Sequence, residues 1–134
     1  MSGENIAIDL SHTSDVLAQD ILNFIDKRKL SLTPIASHSN FRVIAQVARN
    51  LPDEMAQEII RRGGVIGLNF MRAFLGSQGI GNLNRQVEHA SKLGVISHLC
   101  FGSDFLMIVI HSKILILYVL FFILVMKMQA VIPK

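Results

Sequence analysis

The sequence predicts an α/β fold of about four parallel strands joined by three helices, followed by an apolar C-terminal tail. Three observations predict it. Short β-branched runs alternate with stretches of helical period, and glycine and proline punctuate the joins. Two successive runs also break off at a histidine followed by a hydroxyl residue, His12-Thr13 and His38-Ser39. Strands this apolar fit a sheet covered on both faces or a (β/α) barrel, and four of them are half of an eight-stranded one.

Residues 6–11 form the first strand, a β-branched run suited to burial. Thr13 or Ser14 caps a helix starting at Asp15, with Val16, Leu17, Ile21, Leu22, Phe24 and Ile25 as its apolar face. Lys27, Arg28 and Lys29 stand where the helix dipole favours cations. Residues 34–37 are the second strand. Pro52 opens the next helix as a first-turn proline beside Asp53 and Glu54. Met55, Ile59 and Ile60 face inward there, and Gly63-Gly64 end it. Residues 65–70 make the third strand, and Asn82 caps a third helix with Leu83, Val87, Ala90 and Leu93 facing inward. Gly94 closes that helix, and residues 99–102 are the fourth strand.

With 134 residues the chain has room for one ordinary domain, against about 250 for a whole barrel enzyme. All ten acidic residues and ten of the thirteen basic ones lie within residues 1–105, so that part is formally neutral. The net charge of +3 comes from Lys113, Lys127 and Lys134 in the tail, which argues against a nucleic-acid surface on the folded part. The single Cys100 can form no internal disulfide and fits a reducing cytoplasm, and the opening residues lack the basic start of a signal peptide. Residues 106–134 contain no acid and no glycine. Their apolar run at 114–126 rises about 20 Å as a helix, short of a bilayer core of about 30 Å. The tail therefore reads either as a weak membrane segment, giving membrane association, or as the out-of-frame translation of AT-rich DNA.

Histidine at the carboxyl end of a parallel strand stands on the face where barrel enzymes build their sites. His12 and His38, one βα unit apart, would converge from neighbouring strands as metal ligands; the bland alternative for each is a hydrogen-bonded strand-end histidine. Asp104 adds an acid at a third strand end, able to act as base, proton donor or ligand. Arg49 has the planar fork that clamps a carboxylate, or is a solvated loop arginine. Asn69 ends the third strand as a hydrogen-bonding residue, and the hydroxyls of Ser11, Ser37 and Ser39 are candidates for orienting the imidazoles. His89, on a helix with Arg85 and Glu88, reads as part of a solvated face, and neither His98 nor His111 has an evident role. Gly76, Gly79 and Gly81 lack the Lys-Ser or Lys-Thr of a phosphate cradle.

Five blocks, IDLSHTSD, PIASHSNFR, RNLPDE, GGVIGLNF and GSDF, in this order and at these intervals, resemble the renal (membrane) dipeptidase family of zinc peptidases over about residues 5–105. The resemblance implies a partial (β/α)8 TIM-type barrel in residues 1–105, a centre of two zinc ions, and hydrolysis of dipeptides. It implies that His12 and His38 ligate one zinc, that Arg49 holds the carboxylate of a dipeptide substrate, and that Asp104 is the acid/base and also contacts substrate. The family pattern places a His-x-Asp pair, a bridging glutamate and a carbonyl-polarising histidine upstream of Met1. It also continues Asp-Phe-Asp-Gly where this chain reads Asp104-Phe105-Leu106-Met107. The expectation is thus a dipeptidase fragment, inactive alone and prone to self-association. The alternatives are a non-catalytic membrane-associated scaffold, or a subunit that rebuilds the enzyme with a separate amino-terminal half.

Overall fold

The computed structural model describes residues 6–104. Four strands and four helices alternate: β1 (Ile6–Asp9), α1 (Asp15–Arg28), β2 (Leu32–Ile35), α2 (Asp53–Arg61), β3 (Ile66–Leu68), α3 (Arg72–Leu75), α4 (Gly81–Lys92) and β4 (Leu99–Phe101). The one-turn α3 and a 3-10 turn at Ile96–His98 add to the three helices expected. β1 pairs with β2 and β3 with β4, both parallel, and a parallel bridge from Ala36 to Ile66 links the two pairs. The amide of Gly67 reaches the carbonyl of Ala36 at 2.7 Å, and that of Gly102 reaches Leu68 at 2.9 Å. No closed barrel forms among the described residues. The tail at 106–134, with its membrane and frame alternatives, lies outside them; within them no helix is long and apolar enough to cross a membrane.

Parallel pairing needs a crossover, and each helix lays one stripe onto the strands it connects. On α1 that stripe is Ala18, Leu22 and Ile25, three positions on one helical face. It meets Leu10, Ala36, Phe41, Met55, Ala56, Ile59, Ile66 and Leu68 in a single core. Ser14 caps α1 by accepting the Leu17 amide, whereas the Thr13 hydroxyl donates to the Leu10 carbonyl at 2.7 Å. The expected apolar face was too wide: Val16, Leu17 and Phe24 are exposed, and so is Val87 on α4. β1 corrects a second expectation, since it is largely exposed where burial was expected, having a paired neighbour on one side only. Pro52 precedes α2 as its cap residue rather than occupying its first turn. Asn82 lies inside α4, buried, and its side-chain amide donates to the Leu75 carbonyl at 2.6 Å. His89 does not join a solvated face: its Nε2 contacts Asp53 at 2.9 Å, and its ring meets Phe41 edge-on. His98 donates from Nδ1 to the Gly64 carbonyl at 3.1 Å.

Arg62 clamps α2 to α1 by holding Asp26 through two 2.7 Å bonds and Glu58 through a third. The Arg61 guanidinium, with Arg62 beside it, overcomes burial and holds the Glu58 carboxyl at about 2, against an ordinary 4.5. A lowered folded-state value means the contribution is complete above pH 4.5 and is lost as pH falls toward 2. Urea unfolding midpoints should therefore fall across that window by the equivalent of about 1–2 kcal/mol, allowing for partial solvation of the pair. In Glu58→Gln this part of the pH slope is expected to disappear while the midpoint at pH 7 drops. An unchanged slope in the variant would count against the clamp.

Candidate metal centre

Parallel strands bring their carboxyl ends to one edge, and the candidate residues other than Arg49 stand at or just beyond such an end. Asp9 closes β1 and His12 stands three residues beyond it; Ser37 and His38 follow β2; Asn69 follows β3; Asp104 follows β4. The structure gathers His12, His38 and Asp104 so that one ligand atom of each lies within 4.8 Å of the others. His12 has φ +66° and Asp104 φ +51°, left-handed conformations that side-chain-bearing residues adopt at a cost. Two of the three such residues among those described thus belong to this cluster, the third being Lys29 at the end of α1.

The imidazoles meet edge-on with their rings 4.5 Å apart and Nε2 atoms 2.5 Å apart. Behind His38, Nδ1 is 2.6 Å from the Ser37 hydroxyl, and that hydroxyl donates to the Asp9 carboxylate. The other Asp9 oxygen accepts the backbone amides of Ser11 at 2.9 Å and Ser37 at 3.0 Å. Burial works to raise the Asp9 carboxyl, but the Ser37 hydroxyl and these amides outweigh it and hold the group below the ordinary aspartate value. The Ser11 hydroxyl accepts the His38 amide at 3.1 Å, whereas Ser39 is buried and its amide donates to the Gly67 carbonyl. Of the three hydroxyls considered from sequence, only that of Ser37 touches an imidazole.

Behind His12 stands Arg49, whose guanidinium donates to Nδ1 at 2.9 Å. Desolvation, then the charges of His38 and Arg49, push the His12 imidazole below the ordinary histidine value, toward the neutral ring that a metal requires. Asn69 donates to Asp104 at 3.0 Å and accepts the Met71 amide at 2.8 Å, so it orients the carboxylate. Asn69 is itself fixed by buried Asn40, which accepts its amide and donates to its carbonyl. Buried Asn50 ties the Arg49 loop to the carbonyls of Ala45 and Phe74, both at 2.9 Å.

Two imidazoles and one carboxylate are a donor set that suits zinc, and tetrahedral zinc takes ligands at about 2.0–2.2 Å. Three ligand atoms within 4.8 Å can share one ion, so the residues present fit such a group. Sequence reasoning missed Asp9 and Asn40. Asp9 left one signal, a lone acid inside an otherwise apolar run (residues 6–10); Asn40, beside Phe41, left none.

A family model, membrane dipeptidase (peptidase family M19), matches residues 1–115. The chain belongs to the membrane dipeptidase family. The dipeptidase ataJ of Aspergillus terreus is 32% identical over 105 residues, 73% of this chain and 24% of that protein. A Schizosaccharomyces pombe protein described as an uncharacterized dipeptidase is 29% identical over 110 residues, 78% of this chain and 25% of its own length. Among solved structures, a Rhodobacter sphaeroides metallopeptidase, liganded with a phosphinate mimic of the dipeptide L-Ala-D-Ala, superposes with a TM-score of 0.61. It is 29% identical, and the match covers 72% of this chain and 28% of that one. The chain therefore spans about a quarter of the length of these relatives.

Proposed function

We propose that this chain supplies one side of a zinc-dependent dipeptidase centre, with His12 and His38 as ligands to one ion. The described β/α units are then part of a (β/α)8 barrel, whose remaining strands bring the His-x-Asp pair and the bridging glutamate of the family pattern. The observation that carries the reading is the convergence of His12, His38 and Asp104 at the ends of three parallel strands. When bound, the metal supplies an acidified water at neutral pH. Asp104, which accepts a hydrogen bond from Asn69, is the group that takes a proton and returns it to a leaving amine in this reading. Arg49, exposed beside His12, offers its fork to the carboxylate of a dipeptide.

Among the described residues too few ligands converge for a two-metal centre, so activity is expected once a barrel segment carrying the other ligands is present. The test co-expresses the full chain with such a segment and follows dipeptide cleavage with and without zinc. The expected result is hydrolysis only in the combination, abolished by a chelator and restored by zinc. Zinc bound by the full chain, with no cleavage in any combination, would reduce the reading to a metal-binding protein.

A further inference from the structure

The contacts joining Arg49, His12, His38, Ser37 and Asp9 form one directional hydrogen-bond chain, because a guanidinium only donates and an ionised carboxylate only accepts. One Asp9 oxygen is taken by two backbone amides, and the other receives the Ser37 hydroxyl proton. That hydroxyl has no second proton, so toward His38 it accepts, and the proton in the 2.6 Å contact belongs to His38 Nδ1. A neutral imidazole carries one N–H, which leaves a lone pair on His38 Nε2. From the opposite end Arg49 donates to His12 Nδ1, which puts the His12 proton on Nε2. The 2.5 Å contact between the rings is then His12 Nε2–H donating to His38 Nε2. Every link has a compatible polarity.

We infer that Asp9 is a positioning residue which, through the Ser37 hydroxyl, fixes His38 in the Nδ1–H tautomer and so presents its Nε2 lone pair to a metal. The inference rests on the reading of His38 as a zinc ligand, but the tautomer itself is a property of the metal-free chain. Carboxylates that orient a ligating imidazole usually touch it directly; here a hydroxyl intervenes, and the polarity of the carboxylate passes through it.

The discriminating variant is Asp9→Asn, nearly the same shape with one acceptor turned into a donor. Its amide oxygen keeps the Ser11 and Ser37 backbone amides, so its NH2 faces the Ser37 hydroxyl and can only donate. That hydroxyl then turns its proton toward His38 Nδ1, 2.6 Å away, in preference to the Ser11 hydroxyl at 3.4 Å, and the His38 proton moves to Nε2. Long-range 1H–15N spectra of the labelled full chain without metal read the tautomer, with the His38 signals identified by their loss in His38→Gln. Zinc affinity is measured in parallel by competition with a chelating dye. The expected results are Nδ1–H in the unmodified chain, Nε2–H in Asp9→Asn, and zinc binding weakened about 10–100-fold in the variant. Ser37→Ala should weaken zinc binding comparably, and adding Asp9→Asn to it should weaken it no further. Retention of Nδ1–H in Asp9→Asn, or an equal loss of affinity with and without Ser37, would overturn the inference. A purely structural Asp9 would shift the thermal midpoint and leave the tautomer alone. If the tautomer reverses as stated but the unmodified chain takes up no zinc, the relay stands and the zinc reading falls.

Discussion

Gly67→Ala and Gly102→Ala are each expected to destabilise the fold by about 3 kcal/mol or more and to displace His38. A Cβ built on either glycine collides with the same atom, the carbonyl oxygen of Ser37. The next contacts are also backbone: the Ser37 carbonyl carbon at 2.8 Å for Gly67, and His38 Cα at 2.9 Å for Gly102. Main-chain atoms cannot turn aside as a flexible side chain would, so β2 must move away from β3 and β4. The residues that would move are Ser37 and His38, which join Asp9 to the proposed metal position. Gly81→Ala is the control, since its Cβ meets open space in the first turn of α4, and alanine there should be neutral or slightly stabilising. Chemical denaturation of the three variants decides the matter. Equal midpoints for Gly67→Ala and Gly81→Ala would show that the strands tolerate a wider spacing than the geometry allows.

The parts of this fold that could be read from sequence are those set by local chemistry. The strands appear within short apolar runs, α1 starts at its serine cap, and Gly94 closes α4 with φ +78°. Convergence of His12, His38 and Asp104 followed from a topological rule, because parallel strands share one carboxyl edge. What escaped depends on contacts between distant residues. Periodicity gives the apolar stripe of α1 but not its covered width, and only Ala18, Leu22 and Ile25 lie against the core. His89 has charged helix neighbours, yet Asp53, 36 residues away, claims it at the start of α2. In sequence Asn69 reads as a strand end and Asn82 as a helix cap, with Asn40 and Asn50 unremarked; in the structure all four are buried and supply the hydrogen bonds that irregular backbone behind the site requires. Asp9 lies 28 residues from Ser37, and no local pattern announces that pairing.

His12→Ala is expected to weaken zinc binding by about 100-fold or more, because it removes one of the two histidines proposed as ligands. Arg49→Met should act in the opposite direction. The contact between Arg49 and His12 Nδ1 exists only while the His12 proton is on Nε2. A metal on Nε2 needs the lone pair there, which sends the proton to Nδ1 and leaves the guanidinium facing a second donor. Zinc and Arg49 thus compete for opposite ends of one imidazole. Both side chains are exposed, so the bond contributes about 1 kcal/mol or less, and removing the competitor should tighten zinc binding a few-fold. The exchange also connects the metal to the proposed substrate, since an arginine released from His12 is free to take a carboxylate. Linkage then requires that a dipeptide analogue and zinc each raise the affinity of the other, and that Arg49→Met removes this coupling while improving zinc binding itself. Titrating zinc with and without a saturating dipeptide analogue, in both chains, measures all four affinities. Equal zinc affinity in the unmodified chain and in Arg49→Met would mean that Arg49 leaves His12 without cost, and the coupling would have no physical basis.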